Sequence, residues 1–186
     1  MLVQTRIVPA AGLSLEEFAP DRPTQPRRAA SKSEAAKLSL IDGVQLTTLV
    51  ANDDDRGSLH ELLTRRDGEI EPIVHVYQVA AAPRSVRAWI YHSRQHDRLA
   101  YTNGNFDVVL YDLRPGSPTL HHLNVFKVGK IYPCLLRIPP FVVHGVRNNG
   151  SEWAYFTNMP TAVYRSETPD KYRLPYDDPR IPFVFE

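Results

Sequence analysis

The sequence predicts an all-β fold, a closed or double-sheet barrel, and three observations predict it. Short runs rich in β-branched and aromatic residues recur about every ten residues, the spacing of sandwich and barrel strands. Sixteen prolines and nine tyrosines favour turns and strands over long helices. Segments with helical periodicity are nearly absent, and so are internal repeats.

Taken in order, residues 1–42 are expected to form a flexible lead-in. Its stretch APDRPTQPRRAASKSEAAK holds too little apolar surface to offset the entropy of ordering it, although a short strand or helix is expected within it. Residues 43–186 are expected to form the barrel, closing in a C-terminal wrap. GVQLTTLVAN alternates and stops at DDDRG, a turn signal with a solvated acidic cluster. SLHELLTR fits a strand or a short helix. PIVHVYQVA and SVRAWIYHS read as strands. RLAYTNGNFDVVLYDLR reads as two strands around Asn103-Gly104, a hairpin signal. GSPTLHHLNVFKVGK gives turn, strand, turn. The segment from Tyr132 to Pro160 gives three strands divided by Pro139-Pro140 and Asn149-Gly150. The proline-punctuated end, TPDKYRLPYDDPRIPFVFE, is expected to lie over the surface.

A net charge of +1 gives no reason to propose a nucleic-acid partner. Cys134 is the single cysteine, which excludes an internal disulfide and a cysteine-based zinc cluster and fits a reducing compartment. No apolar run reaches the length of a membrane span, and the N-terminus lacks a basic-then-apolar signal. The expectation is a cytoplasmic protein with no membrane partner.

The chemistry-bearing residues gather in VRAWIYHSRQHDRL, residues 86–99. Barrels of this kind bind ligands inside, so inward polar side chains are the informative ones. Strand alternation puts Arg87, Trp89 and Tyr91 on one face and Ala88, Ile90 and His92 on the other. His121 and His122 are expected to be solvated, and His60 and His96 stand in no partner pattern. The strand pattern resembles the cupins, double-stranded jelly rolls that often hold a metal. Their first metal motif, His-x-His with a following carboxylate and glycine, is represented by Ile90-Tyr91-His92, Asp97 and Gly104. Their second is represented by His144 and Asn148, with Phe141 in a glycine position. His92, Asp97 and His144 remain as three ligands, but isoleucine cannot supply the missing nitrogen. The expectation is therefore no metal.

Over residues 43–182 the order of motifs resembles the dTDP-4-dehydrorhamnose 3,5-epimerase family, a metal-free branch of the cupins. Asp55-Arg56-Gly57 with Glu61 is similar to its Asp-x-Arg-Gly stretch and following glutamate. IVHVYQVAAAPRSVRAWIYH aligns with the strand pair ending in Arg-Gly-Leu-His. GNFDVVLYDLRPGSPT, IPPFVVHG and YDDPRIPF resemble three further motifs in the same order. The resemblance implies proton removal next to a 4-keto group, with return of the proton on the opposite face. It implies no cofactor, a nucleotide-sugar ligand such as a dTDP-sugar, and a homodimer in which an N-terminal strand crosses to the partner. Residue by residue, Arg87 matches the substrate-binding arginine, suited to a diphosphate by its planar fork. Arg56 and Glu61 match ligand-contacting positions, His75 a ligand-binding glutamine, and His144 the histidine of the Pro-Pro-Gly motif. Arg98 falls at the enolate-stabilising lysine, Tyr164 at the proton-donating tyrosine and Asp178 at the aspartate that holds the base. The base position itself is Ile90, which accepts no proton. His92, about 7 Å further along by two strand rises, is the candidate replacement. The alternative is a cupin that binds a sugar nucleotide without catalysis, or that runs different chemistry.

Overall fold

The computed structural model describes residues 3–8, 12–20, 39–63 and 71–186. Most of the alanine-, proline- and arginine-rich part of the lead-in lies outside these residues. Among the described residues there are fourteen strands: β1 Val3–Ile7, β2 Ala19–Pro20, β3 Gln45–Thr48, β4 Ala51–Asp54, β5 Gly57–His60, β6 Tyr77–Ala81, β7 Val86–Tyr91, β8 Asp97–Tyr101, β9 Asn105–Asp112, β10 His122–Gly129, β11 Cys134–Ile138, β12 Val142–Asn148, β13 Ala154–Asn158 and β14 Tyr172–Arg173. The one helical element among the described residues is a 3₁₀ turn at Leu15–Glu17.

The strands form a seven-stranded sheet, β1-β10-β9-β12-β7-β14-β2, and a five-stranded sheet, β3-β11-β8-β13-β6, with β4–β5 as a separate hairpin. All pairings are antiparallel. The predicted double-stranded β-helix is the observed fold. The Asn103-Gly104 turn is where expected, but it makes no hairpin. β8 pairs with β11 and β13, while β9 pairs with β10 and β12 in the other sheet. The turn carries the chain from sheet to sheet. Gly104 is required there by its φ of +71° and because a Cβ would stand 2.3 Å from Ala154 Cβ.

The inner core joins both sheets through Phe106, Val108, Leu110 and Phe126 on one side and Leu99, Tyr101, Leu136 and Phe156 on the other. The outer face of the seven-stranded sheet is also buried. Leu13 and Phe18 from the N-terminal part and Leu174, Ile181 and Phe183 from the C-terminal part cover Trp89, Tyr91, Tyr111 and Val143. A fully buried side chain such as Trp89, which has no exposed surface, contributes about 2–3 kcal/mol. The lead-in is therefore partly built into the fold. β1 extends the sheet beside β10, and buried Asn124 ties it down. Its Nδ2 donates to Thr5 Oγ1 (3.0 Å) and Ser39 O (3.2 Å), and its Oδ1 accepts from Ile41 N (2.9 Å).

The DLRPGSPT stretch has a structural role. Fully buried Asp112 accepts from Arg114 Nε and Nη2 (2.8 Å each), Ser117 Oγ (2.7 Å) and Thr119 Oγ1 (2.7 Å). These bonds shape the turn between β9 and β10. Burial works against the charge, but the bonds from Arg114, Ser117 and Thr119 prevail and lower the Asp112 pKa to about 2. A depressed carboxylate stabilises the fold above its unfolded pKa, and that stability is lost as pH falls through the folded value. Asp112→Ala is expected to cost about 2–3 kcal/mol in denaturant unfolding at pH 7. The difference from the parent should shrink between about pH 4 and pH 2.

Candidate functional site

Strand β7 sets the geometry of the site. Against β12, His144 pairs with Ile90 and Val146 with Arg87, so Ala88 and Trp89 together face the single residue Gly145. This is a β-bulge. A Cβ on Gly145 would stand 2.5 Å from Ala88 Cβ and 3.0 Å from the Trp89 ring, so only glycine accommodates it. The bulge breaks the predicted alternation. Trp89 and Tyr91 pack on the outer face, but Arg87 joins Ala88, Ile90 and His92 in lining the barrel cavity.

That cavity has a volume of about 720 Å³ and is also lined by His75, Tyr77, Asp97, His144, Tyr164, Lys171, Arg173 and Tyr176. At its buried end stands Asp97, 3 % exposed. Its Oδ1 accepts from Gln95 Nε2 (2.9 Å) and Asn158 Nδ2 (2.8 Å). Its Oδ2 lies 3.4 Å from His92 Nε2 and 3.3 Å from His144 Nε2. Burial pushes the carboxyl up, but the charge of His92 and the hydrogen bonds of both imidazoles hold it well below the ordinary range. Both rings are oriented from behind. His144 Nδ1 lies 3.0 Å from Val142 O, and His92 Nδ1 contacts Asp170 O. A carbonyl only accepts, so each Nδ1 carries hydrogen and each Nε2 is the nitrogen turned to Asp97.

Asp170 acts as a latch for this arrangement. Its carboxylate accepts from Ser93 N (2.9 Å), Ser93 Oγ (2.6 Å), Arg94 N (2.9 Å) and Gln95 N (3.1 Å). Burial opposes the charge, but these bonds keep its pKa below the usual value. Next to it, Lys171 and Arg173 reach the cavity while Tyr172 turns outward to stack on Tyr91, ring centroids 4.8 Å apart. Phe141, in the glycine position of the motif, adopts φ +63°. Its N–H donates to His92 O at 2.7 Å.

Of the residues singled out in the sequence, His75, Arg87, His92, His144 and Tyr164 share the cavity. Four others lie elsewhere. Arg98 follows Asp97 on β8 and points to the opposite face. Its guanidinium donates to Met159 O (2.6 Å), Glu71 O (3.0 Å) and Pro72 O (3.2 Å). Strand parity gives the inward place to Asp97, so Arg98 does not face a ligand in this cavity. Asp178 sits in a C-terminal turn, where it accepts from Arg180 Nε (3.0 Å) and Nη2 (2.9 Å), and is not among the cavity-lining residues. Arg56 and Glu61 belong to the exposed β4–β5 hairpin and its exit, with Arg56 paired to Asp54. His121 and His122 are half-buried rather than solvated. The site residues that sequence reasoning missed are Asn158, Lys171, Arg173 and Tyr176. The alternation of Lys171-Tyr172-Arg173 was the available signal for two of them.

Removing the latch is expected to free the loop without unfolding the barrel. In Asp170→Ala, hydrogen exchange at Ser93, Arg94 and Gln95 should accelerate by about 10–100-fold, because bonds to a charged acceptor contribute about 1.5–3 kcal/mol each. Amides in β9 and β10 should be unchanged.

No protein-family model matches the chain. The spore coat polysaccharide biosynthesis protein SpsL of Bacillus subtilis (strain 168) is 35% identical over 144 residues, 77% of this chain and 95% of that protein. The probable low-salt glycan biosynthesis epimerase Agl13 of Haloferax volcanii is 38% identical over 141 residues, 74% of this chain and 89% of that protein. The crystal structure of a dTDP sugar isomerase from Desulfovibrio desulfuricans G20 superimposes with a TM-score of 0.73 at 32% identity. It covers 78% of this chain and 92% of its own. The barrel, the motif order and these relatives together establish that the chain belongs to the dTDP-4-dehydrorhamnose 3,5-epimerase family.

Proposed function

We propose that the protein is a nucleotide-sugar epimerase or isomerase that moves a proton next to a 4-keto group, with a dTDP-sugar as the expected ligand class, working as a cytoplasmic homodimer. The observation that carries this reading is a cavity with cationic side chains, Arg87, Lys171 and Arg173, and a buried His92–Asp97–His144 cluster. The cations suit a diphosphate, and the cluster supplies acid–base groups beside the sugar. An epimerase and a dTDP sugar isomerase among the relatives support the same reaction class.

In this reading His92 removes the proton through Nε2, and Asp97 stabilises the imidazolium that forms. Lys171 takes the part that Arg98 cannot take from the opposite face, stabilising the enolate oxygen. Tyr164 returns the proton from another wall of the cavity. His75 and His144 contact the sugar or its nucleotide. Asp178 has no part in the proton transfer, because Arg180 engages it outside the cavity.

The test is solvent exchange followed by NMR, with dTDP-4-keto-6-deoxyglucose in D₂O. Deuterium is expected at C3 or C5, and His92→Ala should slow its appearance by about 100-fold or more. Ile90→His should restore little, since Asp178, the aspartate matched to the base's partner, is engaged by Arg180. Binding without exchange would leave the non-catalytic sugar-binding reading in place.

Arg56 and Glu61 do not line the cavity of their own chain, so they reach a ligand only across a subunit boundary. The exposed β4–β5 hairpin supports this, with Leu59 60 % exposed. Mixing inactive Arg56→Ala and His92→Ala dimers and allowing subunit exchange should restore about a quarter of the parent activity, since half the dimers then hold one intact site. No recovery on mixing would place Arg56 outside the site.

A further inference from the structure

We propose that Tyr77 is a further catalytic residue, a neutral donor whose phenol O–H engages the 4-keto oxygen of the sugar and stabilises the charge that this oxygen gains as the enolate forms. The inference rests on the epimerase reading for the identity of the oxygen. It adds a second donor to the Lys171 cation.

Tyr77 on β6 pairs directly across from Asn158 on β13, and its side chain lines the cavity. The hydrogen bonds of Asn158 decide what Tyr77 does. Asn158 Oδ1 accepts from Arg98 N at 3.2 Å, while Nδ2 donates to Asp97 Oδ1 at 2.8 Å and to Tyr77 Oη at 2.9 Å. The amide has no second orientation. Turned over, its oxygen would face a carboxylate and its NH₂ group a backbone N–H. Both Nδ2 hydrogens are therefore used, and the Tyr77 oxygen is the acceptor in that contact. An amide nitrogen accepts nothing in return, so the phenol proton points elsewhere. Among the described residues no acceptor takes it. A buried tyrosine O–H finds a partner, and the space that Tyr77 lines is the cavity.

Position and acidity suit this role. Asn158 joins Tyr77 to Asp97, the carboxylate that His92 Nε2 faces at 3.4 Å. Donor and base thus stand on two arms of one network, and a sugar whose carbon reaches His92 brings the adjacent ketone to the same end of the cavity. The Tyr77 ring packs against His75, centroids 5.4 Å apart. Burial, followed by the charge of Asp97, pushes the phenol pKa far above its usual value. At neutral pH Tyr77 therefore keeps its proton and donates a hydrogen bond without transferring it. The C–H proton passes to His92, the electron pair of that bond forms the new C=C bond, and the carbonyl π pair moves onto the oxygen that Tyr77 faces.

Tyr77→Phe removes the hydroxyl and keeps the ring. The experiment binds dTDP-4-keto-6-deoxyglucose, ¹³C-labelled at the ketone carbon, to the full chain and reads its C=O stretching band by isotope-edited infrared spectroscopy. Binding to the parent should move the band to lower frequency, and Tyr77→Phe, confirmed as folded by circular dichroism, should lose most of that shift. In the D₂O exchange assay the variant should lose about 100-fold in kcat, with KM within about threefold of the parent. Deuterium exchange by the parent with no shift, or with a shift equal in both proteins, would overturn the inference and leave the epimerase reading standing. A shift that depends on Tyr77 without any exchange by the parent would overturn the epimerase reading and keep the hydrogen bond. Failure of the parent to bind the keto sugar would overturn both.

Discussion

A carboxylate taken out of water must find hydrogen-bond donors or positive charge, and Asp97 finds them by drawing together four parts of the chain. Gln95 comes from the loop before β8, His92 from the end of β7, His144 from β12 and Asn158 from the end of β13. β7 and β12 belong to one sheet, β8 and β13 to the other. The demand of one buried charge thus fastens the two sheets at the end of the barrel where the cavity lies. The same demand orients the imidazoles, since their second nitrogens are fixed by carbonyls.

The rest of the architecture makes that burial possible. The outer face of the large sheet is coated by segments from both ends of the described chain, so its central strands are buried on both sides. The coat leaves β7 little freedom to relax the bulge at Ala88–Trp89. Trp89 is fixed outward under Phe183 and Phe185, and Arg87 stays turned into the cavity. Packing on the outside therefore selects a polar lining on the inside.

Much of this was legible in the sequence, and the failures have specific physical causes. Strand positions followed from alternation and punctuation, and the motif order identified the fold. The Asn103-Gly104 turn was found but its partners were misjudged, because a turn signal specifies a reversal and not which sheet receives the next strand. Arg87 was placed on the wrong face because alternation assumes a strand without a bulge. The cue was Gly145, whose role is visible only once Ala88 lies 2.5 Å from its missing Cβ. Arg98 and Asp97 differ by one residue, and one residue decides which side of a sheet a side chain occupies. Asp178 was singled out by a motif position, which does not reveal that Arg180, two residues on, engages it. Lys171 and Arg173 were missed because a two-residue strand, β14, leaves almost no periodic signal.

The Asp170 latch gives one stretch of chain two duties. Residues around it form a wall of the cavity through Tyr164, Lys171, Arg173 and Tyr176. The same residue holds the His92 ring and the loop behind it. A movement that swings this wall outward to admit or release a ligand also withdraws the support that aims His92. The orientation of the His92 ring and the integrity of that wall are thus one structural state, set by a single carboxylate and its carbonyl.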